Sequence, residues 1–227
     1  VKIAQSSVHL VDHMGSDLSV VNAARVSFAK ESSLLRFSPE DPDADRLKES
    51  DVKLISYLAK HGHWSPFAHN SLTFRIKAPL FVARQLVKHT VGGVWNEVSR
   101  RYVDDEPEFY FPEVFHGKPT NAKQGASDEV IDPQLITSLY PEQVVEDCLS
   151  LYKDLLNRGV APEEARMFLP LNTMTEWWWT GSLMFFARVC KQRLDPHAQN
   201  ATRHVAQMIN DKIPDVFQHS WKALMEG

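Results

Sequence analysis

The densest concentration of chemically capable residues is RQLVKHTVGGVWNEVSRRY, residues 84–102. Arg84 and Lys88 are four apart, as are Gln85 and His89, so a helix sets each pair on one face. The Gly92-Gly93 pair that ends this helix lets backbone approach a ligand closely. Glu97, Ser99, Arg100 and Arg101 then follow within five residues. Guanidinium, hydroxyl and free backbone N–H groups together hold a phosphate. A solvated basic helix end with a surface turn accounts for the same residues.

Three further clusters stand out. HGHWSPFAHN, residues 61–70, spaces His61, His63 and His69 at intervals of two and six with no Cys or acid among them. That set favours polar or cofactor contacts over a zinc site, so no metal is expected. In KQRLDPHAQ, residues 191–199, Asp195 is expected to cap a helix opening at Pro196, with His197 in its first turn. The positive potential and unpaired N–H groups there suit an anionic ligand, and a well-capped helix explains them equally. Arg166 stands in EARMFLPLN among residues that otherwise pack, so it needs a carboxylate or a ligand as partner.

These side chains need a frame. Residues 1–12 read as a strand, 18–26 as a helix, and 37–50, polar with two prolines, as a loop. Ser50 is placed to cap a helix over 51–61. Leu72, Phe74 and Ile76 alternate with polar residues, a strand over 71–78, and Pro79 opens a helix to His89. After VGG and WNEVSRRY an acidic, aromatic, proline-bearing loop runs to about Pro112, and 116–134 is expected to be disordered. Residues 141–158 form an amphipathic helix closed by Gly159, and Pro162 starts a short helix through Phe168. TMTEWWWTG, residues 173–181, is a strand or turn, with helices over 181–193, 196–212 and from Pro214 onward. The sum is α+β with more helix than strand, and no internal repeat.

Length and composition bound the reading. The 227 residues, 43% hydrophobic and 24% charged, suit a single domain over 1–227. A net charge of −4 argues against a nucleic-acid polymer, whereas basic residues gathered between Arg75 and Arg101 suit a small anion. Cys148 and Cys190 show no CxxC spacing and read as reduced core residues. The N-terminal segment lacks the apolar core of a signal peptide, and no apolar run is long enough for a membrane span. A cytoplasmic protein is expected.

AARVSF, HGHWSPFAH, KAPLFVARQ, NEVSRRY, ARMFLPLN and RLDPHAQ occur in this order at consistent separations. Together they resemble the flavin-dependent thymidylate synthases nearly end to end. The resemblance implies a central antiparallel or mixed sheet with flanking helices, assembled as a homotetramer with active sites at subunit interfaces. It implies FAD as cofactor, dUMP as substrate, and methylenetetrahydrofolate and NADPH as co-substrates. The reaction would be reductive methylation of dUMP at C5 to dTMP without attack by an enzyme cysteine. Neither Cys148 nor Cys190 lies in a shared motif.

By motif, Gln85, Glu97, Ser99, Arg100 and Arg101 would surround dUMP, with the arginines and Ser99 facing its phosphate. Arg166 would reach dUMP from a neighbouring subunit. Arg193 would hold the uracil edge and act catalytically, stabilising negative charge on the ring. Ser27, His63, Ser65, Lys88, His89, Thr90 and His197 match FAD positions, with Tyr102 a further candidate.

The chain departs from the family on the cofactor side. The family signature is Arg-His-Arg, seven residues, then Ser. Here it is Lys88-His89-Thr90, eight residues, then Ser99. Lysine lacks the planar fork of arginine, and Thr90 loses the charge. Ala68, Met184 and Arg188 also differ from residues common in the family. Two other activities fit these departures: transfer of a hydroxymethyl group to C5 of dUMP or dCMP, and nucleotide binding without catalysis.

Overall fold

The computed structural model describes residues 1–36, 45–103, 105–120, 125–132 and 140–227. Its strands are Lys2–Ile3 (β1), Ser7–Met14 (β2), Ser71–Pro79 (β3), Gly93–Glu97 (β4), Glu108–Phe109 (β5), Phe115–His116 (β6), Val130–Ile131 (β7) and Met174–Gly181 (β8). Its helices are Asp17–Arg25 (α1), Glu49–Lys60 (α2), Leu80–Leu86 (α3), Pro141–Asn157 (α4), Pro162–Ala165 (α5), Leu183–Arg193 (α6), Asn200–Asn210 (α7) and Gln218–Glu226 (α8). Among the described residues, no helix is long and apolar enough to cross a membrane.

The frame is an antiparallel sheet in the order β2-β3-β8-β4. Period-two alternation sends Leu72, Phe74 and Ile76 of β3 to one face, level with Gly181, Trp179 and Trp177 of β8. Trp95 of β4 lies opposite Trp179 and stacks on Trp177, with centroids 4.4 Å apart. The helices cover this face, and α6 delivers Phe185 and Phe186 edge-on to Trp179. The other face carries Thr73, Arg75, Val94, Trp178 and Thr180, with Val94 and Trp178 exposed.

Two polar ties set the helices on the sheet. The Asn70 side chain accepts from Leu183 N at 2.8 Å, and Ser182 caps α6 by accepting from Phe185 N at 3.1 Å. Buried Asp51 of α2 pairs with Arg25 of α1 and accepts from the Ser32 hydroxyl. A smaller core of Phe109, Val145, Leu149, Tyr152 and Ala165 joins α4 and α5 to β5.

The expected α+β class and antiparallel sheet are present, and the β8 segment takes the strand alternative. Several boundaries differ. The first strand breaks after Ile3, because β1 pairs in parallel with β5 while β2 joins the main sheet. The second helix starts at Glu49, so Ser50 lies inside it and Lys48 is the N-cap. Pro79 ends β3 and precedes α3, which stops at Leu86 rather than His89. β4, Gly93–Glu97, occupies a stretch to which the sequence pattern assigns no strand. Part of 116–134 is ordered as the β6–β7 pair; residues 121–124 and 133–134 lie outside the described residues, as do 37–44 of the polar loop. Asp195 does not cap α7, which begins only at Asn200.

Gly93 and Gly181 face each other across β4 and β8, and both lie under the Phe185 ring. A Cβ on either would approach a Phe185 carbon to 2.4 Å and 2.3 Å respectively. At Gly93 the close approach expected from a ligand is made by Phe185 instead.

Candidate active site

α3 and α6 end side by side. A helix leaves its last carbonyls without intrahelical donors, and here one of them meets the last arginine of the neighbouring helix. Arg193 Nη2 donates to the Gln85 carbonyl at 2.9 Å, and Arg193 Nε donates to His89 Nε2 at 3.0 Å. His89 follows the C-terminus of α3, its N–H donating to Leu86 O at 3.0 Å. Burial, then the charges of Arg193 and Arg188, hold the imidazole pKa down at about 4. His89 is therefore neutral at pH 7. Burial also lowers the Arg193 pKa, though guanidinium remains charged.

Arg193 borders a cavity of about 660 Å³ lined also by Gln85, Lys191, Asp195, His197 and Gln199. The Gln85 amide donates to the Gln199 side-chain oxygen. Asp195 Oδ1 accepts from His197 N at 2.8 Å and sits 2.9 Å from its Nδ1, so the segment is a tight turn before α7. Gly125, at φ +86°, lies against the His197 backbone. Lys191 and Arg193 bring two cations to this wall. A second cavity, lined by Phe81, Tyr110, Phe111 and Phe115, adjoins it through Gly125 and Gln199.

The other expected nucleotide residues lie elsewhere. Glu97, at the end of β4, accepts from Trp95 Nε1 at 3.1 Å and Thr175 Oγ1 at 2.7 Å. Ser99 Oγ accepts from Arg101 N at 3.3 Å, Arg100 donates to Asp105 O at 3.0 Å, and Arg101 pairs with Glu163 at 2.9 Å. The Arg101 guanidinium lies 5.5 Å from the Tyr102 ring centroid. None of these lines the Arg193 cavity. Arg166, expected to sit among packed residues, is exposed on a short 3₁₀ turn beside exposed Met167 and Phe168.

Among the expected cofactor residues, Ser27 lies in the 3₁₀ turn Val26–Phe28 after α1, and His63 and Ser65 flank Trp64. The turn Ser65–Ala68 packs against both α1 and α6. Ser27, His63, Ser65, Lys88, Thr90 and His197 are all open to solvent to some degree, and Phe28 and Trp64 beside them are 77% and 59% exposed. Accessible hydroxyls and an imidazole next to the bare rings of Phe28 and Trp64 suit a cofactor with planar rings, and the exposed Lys88 ammonium suits a phosphate. Among the described residues no His, Cys, Asp and Glu cluster could hold a metal ion. Cys190 is buried with its thiol pushed up to about 12 by burial and then by Asp211, and neither cysteine lines the cavity.

A family model described as "Thymidylate synthase complementing protein" matches residues 9–217. The chain belongs to this family. A flavin-dependent thymidylate synthase of Thermus thermophilus is 36% identical over 224 residues, covering 97% of this chain and 77% of that protein. Another, from Thermosipho africanus, is 35% identical over 227 residues, covering 97% and 92%. The crystal structure of the UMP/dUMP methylase PolB from Streptomyces cacaoi with 5-Br dUMP superposes with a TM-score of 0.82. It is 28% identical, and the match covers 100% of this chain and 97% of PolB.

In this member of the thymidylate synthase complementing protein family, Gln85, Arg193 and His197, singled out by motif, line one cavity, and Lys191 and Gln199, to which the motifs assign no role, line it too. Gln199 has a signal, since it closes the RLDPHAQ segment. Lys191 opens the KQRLDPHAQ cluster, but its place on the wall depends on where α6 ends relative to α3.

Proposed function

We propose that this chain is a flavin-dependent thymidylate synthase. It would act as one cytoplasmic domain, assembled as a homotetramer, and methylate dUMP at C5 to dTMP with methylenetetrahydrofolate and NADPH. The observation that carries the reading is Arg193, held at a cavity wall by two acceptors of a different helix end. A guanidinium fixed in this way has N–H donors left for the oxygen atoms of a uracil edge. As C5 becomes nucleophilic, negative charge grows on the ring, and a preorganised cation lowers that barrier most. Gln85 would orient the nucleotide beside it.

Ser99, Arg100 and Arg101 would take the phosphate, with Arg101 leaving its exposed partner Glu163, a contact of small energy. Because these residues do not line the Arg193 cavity, the reading requires nucleotide contacts from more than one protomer. Exposed Arg166 would supply one of them. Ser27, His63, Ser65, Lys88, Thr90 and His197 would hold FAD. Bound FAD, once reduced, supplies the hydride that completes the methyl group. Neutral His89 would keep the guanidinium in place by accepting from Arg193 Nε.

The likeness to PolB favours testing UMP beside dUMP. Anaerobic incubation with FAD, methylenetetrahydrofolate, NADPH and either nucleotide, followed by mass analysis, is expected to show the gain of one methyl group. A hydroxymethyl product, or none, overturns the reading. Arg193→Ala is expected to lower kcat by about 100-fold with a small change in KM for dUMP.

A further inference from the structure

We infer that His89 is a positioning residue: its Nε2 lone pair fixes the Arg193 guanidinium toward the nucleotide. The inference rests on Arg193 being the cation that faces uracil, and gives a nucleotide-side role to a residue expected to touch FAD. Arg193 Nε and Nη2 are spent on His89 Nε2 and the Gln85 carbonyl, which together fix the plane of the guanidinium. Only an unprotonated imidazole nitrogen accepts a hydrogen bond, so the proton of neutral His89 resides on Nδ1.

The surroundings support that form. Two arginines lie close enough to oppose an imidazolium, and the ring is half-buried with its centroid 6.5 Å from that of Trp179. The Arg193 hydrogen bonds go to His89 and Gln85, not to the side chains of Lys88 or Thr90 that flank the imidazole. The middle residue of Lys88-His89-Thr90 thus serves the nucleotide wall, so replacements at 88 and 90 leave Arg193 in place.

The test compares His89→Phe, which keeps a ring against Trp179 but removes the acceptor, with His89→Gln, whose amide oxygen can accept from Arg193. His89→Phe is expected to lower kcat for dUMP about 100-fold while KM stays within about threefold. His89→Gln is expected to recover at least about tenfold of that loss. FAD retention, read from flavin absorbance after gel filtration, should be unchanged in both. Equal losses in the two variants, or a loss that tracks flavin release, overturns the assignment.

A second readout needs no turnover. In protein labelled with ¹⁵N-histidine, two-bond ¹H–¹⁵N spectra at pH 7 should report His89 as the Nδ1–H tautomer. Arg193→Ala should shift its Nε2 resonance. An imidazolium, an Nε2–H tautomer, or no response to Arg193→Ala overturns the assignment. A chain with this tautomer and no dTMP formation would refute the proposed reaction while leaving the Arg193–His89 pair intact.

Discussion

Arg193 and His89 illustrate how a site is set by single hydrogen bonds between distant parts of the chain, here 104 positions apart. The pair also fixes a pH dependence. His89 titrates near 6.5 when unfolded and at about 4 in the fold. Between these values the unfolded chain binds a proton that the native chain refuses, so this residue's contribution to stability is lost as pH falls from 6.5 toward 4. Urea midpoints at pH 7 and pH 5 are expected to differ more for the parent than for His89→Gln, which has no such proton to bind. An equal difference in both proteins contradicts the depressed value. At this scale Arg193 is legible from its motif, because residue type and neighbours identify it. Its acceptor is not, since nothing in the sequence places the end of α3 against the end of α6.

At the scale of elements, glycine is the residue most easily misread. VGG reads as a helix stop, but α3 ends at Leu86; Gly92, at φ +85°, turns the chain into β4, and Gly93 belongs to that strand. The strand needs glycine there because Phe185 fills the space above both Gly93 and Gly181. Gly181→Ala is expected to cost about 1–3 kcal/mol by overpacking, and adding Phe185→Leu should restore part of it. Denaturant midpoints of the two single variants and the double variant check this; simple additivity counts against the contact. The β3 strand is readable because its alternation is a local property, and α4 because Pro141 and Gly159 mark its ends. Asp195 reads as a helix cap in the sequence, yet a carboxylate that can cap a helix can equally close a turn, and His197 takes both of its bonds.

For the whole molecule, the class is legible from the order of strands and helices, whereas assembly has no signature in a single sequence. One surface bears on it. Met167, Phe168 and Leu171, exposed by 69%, 48% and 55%, follow Arg166 in the chain and are apolar area that a partner subunit would cover. Light scattering is expected to give four times the 25.9 kDa chain mass. If a site joins Arg193 of one protomer to Arg166 of another, co-refolding inactive Arg193→Ala with inactive Arg166→Ala regenerates intact sites. Recovered turnover should approach about a quarter of the parent. Mixtures that stay as inactive as their components would place both arginines in one protomer's site.

The stack of Trp95 on Trp177, with Trp179 edge-on to Trp95 and to the His89 ring, has a spectroscopic corollary. Indoles this close act as coupled chromophores, so their near-ultraviolet dichroism is a fingerprint of the packed sheet. Their emission is a dye-free gauge of anything that displaces or protonates the imidazole beside them.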